Sequence, residues 1–290
     1  MDLKSGTRKF IDFPLTKIVI GVAVLIIAML TVQKFSIDFI RHLGLSNELK
    51  SLIAAVLASA VSLGCYYYLF KYYEKRKISE LSFNRFGYHA LLGLSVGFSI
   101  LSLVILTMYL GKAYTIIDVH SISFLVPALA LAISSAVFEE VLFRGVIFRI
   151  TEEKLGSILA LIISSSIFGF GHLANQNSTI FSAIAITMEA GVLLGAAYIY
   201  SRNLWLPIFI HFAWNFSEGG IYGAVISGSG LNKSLVTSKI SGSELLTGGA
   251  FGPENSLQAL MLGLIVGLLF LWVARKQGNI IAPFWKRKNS

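Results

Sequence analysis

The amino-acid sequence predicts an all-α integral membrane protein, a polytopic transmembrane helical bundle of about eight spans. The 290-residue chain is 55% hydrophobic and only 13% charged, whereas roughly a quarter of the residues in soluble domains are charged. Its apolar residues form several runs of about 18 or more, which are long enough to cross a bilayer. The alternating pattern of a membrane β-barrel is absent from the sequence.

We expect eight spans that pack as one membrane domain over residues 1–290, without a separate soluble domain. The first apolar run is too long for a signal-peptide core, so we expect it to be retained. Pro127 should either kink the fourth span or end a turn before it. The Gly- and Ser-rich connection between about Ser217 and Ser256 is either a flexible linker or a re-entrant element. The predicted spans are Leu15–Val32, Leu52–Phe70, Tyr88–Leu110, Ile122–Phe148, Leu155–His172, Ile180–Tyr200, Leu204–Tyr222 and Leu257–Ala274.

The positions of the basic residues predict the orientation of the bundle. A net charge of +9 would suit nucleic-acid binding if it were clustered, but the Lys and Arg residues lie in loops and tails. With both termini in the cytoplasm, about three quarters of these residues fall on the cytoplasmic side, as the positive-inside rule requires. We therefore expect a multi-pass plasma (inner) membrane protein with both termini cytoplasmic and no nucleic-acid partner. An aromatic belt at the cytoplasmic interface should contain Tyr66, Tyr67, Tyr68, Tyr72 and Tyr73.

The fourth span carries three charged residues inside an apolar run. Glu139, Glu140 and Arg144 lie in this run, where an ionised side chain costs at least ~2.5–3.5 kcal/mol. On a helix, Glu140 and Arg144 are four residues apart and can form an ion pair. Glu139 points about 100° away from Glu140 and is free to face another group. The alternative is a snorkelling helix end, in which all three groups reach the headgroups.

Three of the five histidines, His42, His89 and His120, lie at predicted span ends or in loops. His172 closes the fifth predicted span, and His211 lies inside the seventh, where it shares a helix face with Asn215. Taken singly, each histidine is compatible with a hydrogen-bonded packing residue. Together with Glu139, these residues can activate water and stabilise an oxyanion. We expect all four side chains to converge on one cavity, which requires the fifth helix to be tilted or short. Glu189 in the sixth span either bonds a neighbouring helix or lines the same cavity, and we favour a supporting role because no motif includes it.

Three motifs in this order, each on a hydrophobic span, resemble one family. They are Glu139-Glu140-x-x-x-Arg144, Phe168-x-x-x-His172 and His211-x-x-x-Asn215. The pattern is similar to that of the CPBP intramembrane proteases, the CAAX-protease and bacteriocin-processing family, also called Abi or type II CAAX prenyl endopeptidase. The resemblance covers a core at about residues 123–217, and the other spans are generic.

The resemblance implies an eight-helix bundle with a water-filled cavity in the membrane, where a peptide bond is hydrolysed. It implies that Glu139 and His172 hold and activate the attacking water. It also implies that His211 and Asn215 stabilise the tetrahedral oxyanion. The residues implied to support this site structurally are Glu140, Arg144 and Phe168.

The sequence leaves a zinc alternative open. Glu139, His172 and His211 are a chemically reasonable zinc set, and the family has been described as metalloproteases. The spacing is not that of a His-Glu-x-x-His helix, however, and a glutamate-activated water needs no metal. We therefore expect no cofactor, with zinc as the alternative.

We expect an intramembrane endopeptidase that acts on a membrane-associated peptide or a lipidated protein. CAAX-type and bacteriocin- or pheromone-like substrates are both compatible with the resemblance. The alternative is a non-catalytic immunity or scaffold protein of the same family, although such a protein could lose Glu139 or His211 and this chain keeps both. A transporter is disfavoured because no internal repeat is present.

Overall fold

The computed structural model describes residues 11–42 and 44–287, and it confirms the predicted helical membrane bundle. Within those residues, six segments are long and apolar enough to cross a membrane. They are Pro14–Ser36, Asn47–Tyr73, Phe86–Leu110, Ile122–Ala174, Ile180–Ser201 and Leu257–Lys276. The predicted orientation of the termini concerns residues 1–10 and 288–290, which lie outside the described residues.

The described residues form eight long helices and one two-stranded sheet. The first three helices are α1 (Pro14–Arg41), α2 (Asn47–Tyr73) and α3 (Phe86–Leu110). Helix α4 comprises Val126–Glu140 and a π-helical segment, Val141–Phe148, and α5 is Arg149–Gly171. Helix α6 comprises Ile180–Ile186, a π-helical segment Thr187–Gly191, and Val192–Ser201. Helix α7 comprises Trp205–Asn215 and a π-helical segment Phe216–Ile221, and α8 is Leu257–Lys276. The strands are β1 (Tyr114–Val119) and β2 (Val236–Ile240).

Several helices begin at the polar or proline residues that favour helix starts. The hydroxyl of Ser46 accepts a hydrogen bond from the Leu49 N–H at the start of α2, 3.3 Å away. Thr179 and Ser182 form a capping box at the start of α6, which satisfies two otherwise unpaired N–H groups. Pro127 lies in the first turn of α4, after the short helical turn Ile122–Leu125. It therefore ends the preceding turn rather than kinking the span.

The segment Ile122–Ala174 is two antiparallel spans because the chain reverses near Gly156. Gly156 has φ +77° and ψ 168°, a conformation that L side chains rarely adopt. Beyond the reversal, the Ser164 hydroxyl donates to the Phe143 carbonyl over 3.2 Å. The stretch from Ser157 to Gly171 then rises only about 22 Å. The fifth span is therefore short, which is one of the two conditions, tilted or short, under which the site residues were expected to converge.

Helix α7 is the central helix of the site, although it is shorter than a typical span of about 20 residues. Its buried residues include Leu206, Ile210, His211 and Asn215. Helix α3 approaches it closely at Gly93 and Gly97. A Cβ atom at Gly97 would lie 2.3 Å from the Ile210 carbonyl oxygen. This Gly-x-x-x-Gly spacing allows the backbones of α3 and α7 to touch, and it helps to fix the position of His211.

Gly97→Ala should destabilise the protein by about 1–3 kcal/mol, because the new methyl group overlaps a backbone oxygen of α7. The matched control is Gly64→Ala in α2, where an added Cβ would meet no atom within 4 Å. The control should be neutral or slightly stabilising, because Ala favours a helix over Gly by roughly 0.5–1 kcal/mol. The measurement is the free energy of unfolding in mixed micelles titrated with SDS. Equal effects of the two substitutions would contradict the assigned contact.

The Gly- and Ser-rich connection before α8 is an ordered cap rather than a flexible linker. Strand β2 pairs with β1 in an antiparallel ladder, with Tyr114 opposite Ile240 and Val119 opposite Val236. The rest of the connection turns inward, so that Phe251 is 1% exposed and Glu254 is 4% exposed, which is compatible with the re-entrant alternative. The sequence signal for the sheet was the high content of β-branched residues in β1.

A buried ion cluster lies between α2 and α3, on the predicted cytoplasmic side. Arg76 contacts both Glu74 and Glu80, at 2.7 and 2.6 Å. Arg149 lies 3.0 Å from Glu74. The Tyr66 hydroxyl donates to Glu80 and to the Gly145 carbonyl. Tyr66 is 0% exposed, so its assignment to an interfacial belt was wrong: the hydroxyl is satisfied by this cluster rather than by headgroups.

The ion cluster should make stability depend on pH in acid. Burial alone would raise the pKa of Glu80, but the Arg76 guanidinium outweighs it and lowers the pKa below the usual 4.5. A lowered folded-state pKa adds stability that is fully present above about pH 4.5 and is lost as pH falls through the folded-state pKa. Thermal unfolding of wild type and Glu80→Gln should therefore differ at pH 7 and converge as the pH is lowered below 4.5. A constant difference from pH 7 to pH 3 would contradict the assignment.

Candidate active site

Three helices meet at the site, and each has a π-helical segment at or beside the polar residues. The segment in α4 begins directly after Glu140, the one in α6 contains Glu189, and the one in α7 begins directly after Asn215. π-helical turns insert an extra residue into a helix and are frequent at functional sites. They change the direction in which the following side chains point, and the sequence periodicity did not reveal them.

Glu140 is the electrostatic centre of the site. Its Oε1 accepts a hydrogen bond from Arg144 Nη1 and another from His211 Nδ1, each over 2.9 Å. Glu140 is 0% exposed, and Arg144 and His211 are also buried. The predicted Glu140–Arg144 ion pair is therefore present, and the same carboxylate also holds the imidazole of α7. A carboxylate on one ring nitrogen fixes the tautomer and orientation of the ring.

Arg144 links α4 to α6. Its Nη2 donates to the carbonyl oxygens of Ala190 and Gly191, at 3.2 and 3.1 Å. Its guanidinium carbon lies 4.7 Å from the centroid of the Phe168 ring. Arg144 therefore holds the end of the α6 π-helical segment and packs on the aromatic ring that precedes His172.

His172 lies just beyond the end of the short helix α5. Its Nδ1–H donates to the Phe168 carbonyl over 2.8 Å, because a carbonyl oxygen can only accept. In the neutral ring, Nε2 is then left as a hydrogen-bond acceptor. The Phe168 ring packs against the imidazole with centroids 4.7 Å apart, which limits the ring to one orientation.

A small central cavity, with about 30 Å³ open to the centre of a water-sized sphere, lies between α5, α6, α7 and the cap. The polar side chains that line it are His172, Glu189, His211, Asn215, Ser227 and Glu254. The structure thus brings together three of the four residues expected to converge, namely His172, His211 and Asn215. Glu189 lines the cavity itself rather than supporting the site from behind.

Glu139 lies in a separate lateral groove between α1 and α4, of about 810 Å³, which is lined also by Ile26, Gln33, Ser135 and Phe138. This placement differs from the single cavity expected from the sequence. The reason is helical phase: Glu140 points inward at His211, so its neighbour Glu139 points about 100° away, toward α1.

His211 and Asn215 form the boundary between the central cavity and the lateral groove. His211 Nε2 lies 4.0 Å from Glu139 Oε2. The Asn215 Nδ2 donates to the Ser135 hydroxyl on the groove side, 3.0 Å away. The Glu139 side chain is 27% exposed, so this carboxylate is not sealed inside the protein. The site therefore offers a partly exposed carboxylate, an oriented imidazole and a carboxamide along one boundary.

Glu254 is a cavity residue that sequence reasoning missed. It comes from the short turn Pro253–Asn255 of the cap, which is 43 residues beyond His211 in the chain. The signal available in the sequence was weak: an acidic residue directly before a hydrophobic span, within a Gly- and Ser-rich connection. The fold brings it to the site because the connection turns inward and the Glu254 N–H donates to Glu218 Oε1.

The arrangement does not fit the alternative zinc set of Glu139, His172 and His211. Across residues 11–42 and 44–287, no group of three or more His, Cys, Asp and Glu side chains is placed to hold a metal ion. Glu139 and His172 also line different spaces. We therefore derive no step through zinc.

Comparison with known proteins agrees with the motifs. Residues 121–217 match the family model "Type II CAAX prenyl endopeptidase Rce1-like". The matched residues are about a third of the chain. They contain Glu139, Glu140, Arg144, His172, His211 and Asn215, so this family segment includes the boundary between the cavity and the groove.

A curated relative carries a name that is consistent with this match. The Bacillus subtilis (strain 168) protein "Putative membrane peptidase YdiL" is 33% identical over 86 residues, which are 29% of this chain and 32% of that protein. The chain thus spans about a third of the length of the curated relative it matches. No solved structure gives a significant match.

Proposed function

We propose that this protein is an intramembrane endopeptidase that cleaves a membrane-associated peptide or lipidated protein with water activated by Glu139. The observation that carries this proposal is the His211 imidazole, held 2.9 Å from Glu140 and 4.0 Å from Glu139 in the interior of a membrane bundle. A plasma-membrane location with cytoplasmic termini is part of the same proposal.

Glu139 serves as the general base. A water hydrogen-bonded to this carboxylate gives up a proton as its oxygen attacks the peptide carbonyl. The resulting carboxylic acid then returns the proton to the leaving amine. His172 has Nε2 free to accept, but it lines the cavity whereas Glu139 lines the groove, so it can share this water only if the water lies at the boundary between the two. For Glu139 and His172 to act on the same water, the scissile carbonyl must lie at the boundary formed by His211 and Asn215.

His211 and Asn215 supply donors to the oxyanion. A protonated His211 keeps its Nδ1–H on Glu140 and presents an Nε2–H at the boundary. Asn215 uses one amide N–H on Ser135 and has a second to donate. Removal of one donor of this kind costs about 10²–10³-fold in rate in well-studied hydrolases. Glu140 and Arg144 keep these donors in place.

The test is cleavage by the purified protein in proteoliposomes. A farnesylated CAAX peptide and a non-lipidated hydrophobic peptide of pheromone type are incubated separately, and products are identified by mass spectrometry. We expect cleavage of at least one of them. If neither peptide is cleaved although both bind, the non-catalytic immunity or scaffold function is favoured instead.

Metal dependence is measured on the same preparation. We expect cleavage to continue after treatment with a strong chelator, because the described carboxylates and imidazoles are not arranged as a metal site. Metal content is determined in parallel by elemental analysis. Stoichiometric zinc, with activity lost on chelation and restored by zinc, would overturn the metal-free mechanism and leave the peptidase assignment intact.

A further inference from the structure

The central cavity contains two carboxylates that the proposed mechanism does not use. Glu189 is 1% exposed and Glu254 is 4% exposed. Within the described part of the chain, both carboxylate oxygens of Glu189 lack a hydrogen-bond partner, and so does the Oε1 of Glu254. Buried carboxylates are normally paired, because removing the charge from water costs several kcal/mol. Two such groups in one cavity therefore point to a missing partner.

The fold holds both carboxylates in place. Helix α8 presses on the π-helical segment that carries Glu189: a Cβ atom at Gly263 would lie 2.9 Å from the Glu189 Cβ. Arg144 binds the carbonyls of the next two residues in α6. Glu254 is held by its backbone N–H, which donates to the Glu218 Oε1 over 3.3 Å. These contacts fix the backbones and leave the carboxylates directed into the cavity.

The surroundings of the pair are short of positive charge. The other titratable side chains lining the cavity are His172 and His211, and the buried Glu218 lies behind Glu254. No Lys or Arg side chain is part of the described cavity wall. The nearest guanidinium, Arg144, is engaged by Glu140 and by main-chain carbonyls. The cavity therefore has an acidic end opposite its apolar wall of Leu193, Leu194 and Ile210.

We propose that Glu189 and Glu254 form an acidic subsite that binds an organic cation of the substrate, an ammonium or guanidinium group, beside the scissile bond. This subsite rests on the proposed peptidase function, since it shares a cavity with His172, His211 and Asn215. An ammonium or guanidinium group gives each unpaired oxygen a charge-assisted hydrogen bond. About 30 Å³ of this cavity is open to the centre of a water-sized sphere, which is room for about two groups of water size, so only the charged end of a side chain or a chain terminus would enter it.

The two sources of such a cation are a Lys or Arg side chain and a free peptide N-terminus. Three peptides of otherwise identical hydrophobic sequence separate them. The first has an acetylated N-terminus and one Lys, the second has a free N-terminus and norleucine at that position, and the third has an acetylated N-terminus and norleucine. Binding to the Glu139→Gln protein in detergent is measured by titration calorimetry, so that cleavage does not interfere.

We expect one of the two cationic peptides to bind at least ~10-fold more tightly than the neutral peptide. Glu189→Gln and Glu254→Gln, each added to the Glu139→Gln background, should remove this preference while binding of the neutral peptide is unchanged. Glu244→Gln, an exposed acidic residue of the same cap, is the matched control and should keep it. Thermal unfolding of each variant checks folding.

Equal binding of all three peptides would overturn the subsite, as would a preference that survives in the Glu189→Gln/Glu254→Gln double variant. Inhibition of peptide binding by sodium or zinc alone, without a preference among peptides, would also overturn it. The proposed peptidase function fails differently, by absence of cleavage in wild type, and the binding measurement does not depend on that result.

Discussion

Glu139→Gln should lower the rate of peptide cleavage by about 10²–10⁴-fold, the usual contribution of a general base. The amide is nearly the same size as the carboxylate but cannot take a proton from water. The folded protein should remain at the wild-type level, because the Glu139 side chain is partly exposed and its distance to His211 is already 4.0 Å. The measurement is the single-turnover rate in proteoliposomes, with the amount of folded protein determined in parallel.

Ser134→Ala is the control for this substitution. Ser134 lines the same lateral groove, and its hydroxyl donates to the Ala130 and Leu131 carbonyls of its own helix. Its loss should leave the cleavage rate near that of wild type. Unchanged cleavage by Glu139→Gln would mean that another carboxylate of the site is the general base, and it would disprove the role assigned to Glu139.

Arg144→Ala should reduce the amount of folded protein in the membrane and destabilise it by about 3–5 kcal/mol, the usual cost of removing one partner from a buried ion pair. The substitution leaves Glu140 buried without its cation. It also removes the hydrogen bonds that Arg144 donates to the Ala190 and Gly191 carbonyls, and the contact with the Phe168 ring. The measurement is the free energy of unfolding in mixed micelles, together with membrane abundance.

Two further variants sharpen this result. Arg275→Ala removes an exposed arginine in the last turn of α8 and should have little effect on abundance. Arg144→Lys keeps the charge but lacks the planar fork that reaches a carboxylate and two carbonyls together, so its stability should be intermediate. Wild-type abundance and unfolding for Arg144→Ala would show that the link between α4 and α6 does not stabilise the bundle.

The sequence predicted the helices and the motif residues well because both depend on local composition and spacing. Long apolar runs are sufficient to identify spans, and an i,i+4 spacing is sufficient to pair Glu140 with Arg144. The same spacing could not show that Glu140 also binds His211, since that contact joins residues 71 positions apart. The sharing of one carboxylate by two cationic groups is a property of the packed bundle.

Other parts of the site depended on geometry that the sequence does not display. Glu254 reaches the cavity because the Gly- and Ser-rich connection turns inward and the Glu254 N–H donates to Glu218 Oε1, a contact between residues 36 positions apart. The separation of Glu139 from the central cavity follows from helical phase combined with the position of α1. Tyr66 illustrates the same limit, because a tyrosine at a span end predicts an interfacial ring, whereas its hydroxyl binds the buried Glu80.

The reversal at Gly156 has a consequence for the surrounding lipid. The part of α5 that follows it rises about 22 Å, whereas the hydrocarbon layer of a typical bilayer is about 30 Å thick. We expect acyl chains beside α5 to compress, or flanking side chains to snorkel, to match this hydrophobic mismatch. Thinning of the bilayer at this helix would shorten the path of a surface-bound peptide from the headgroup region to His172.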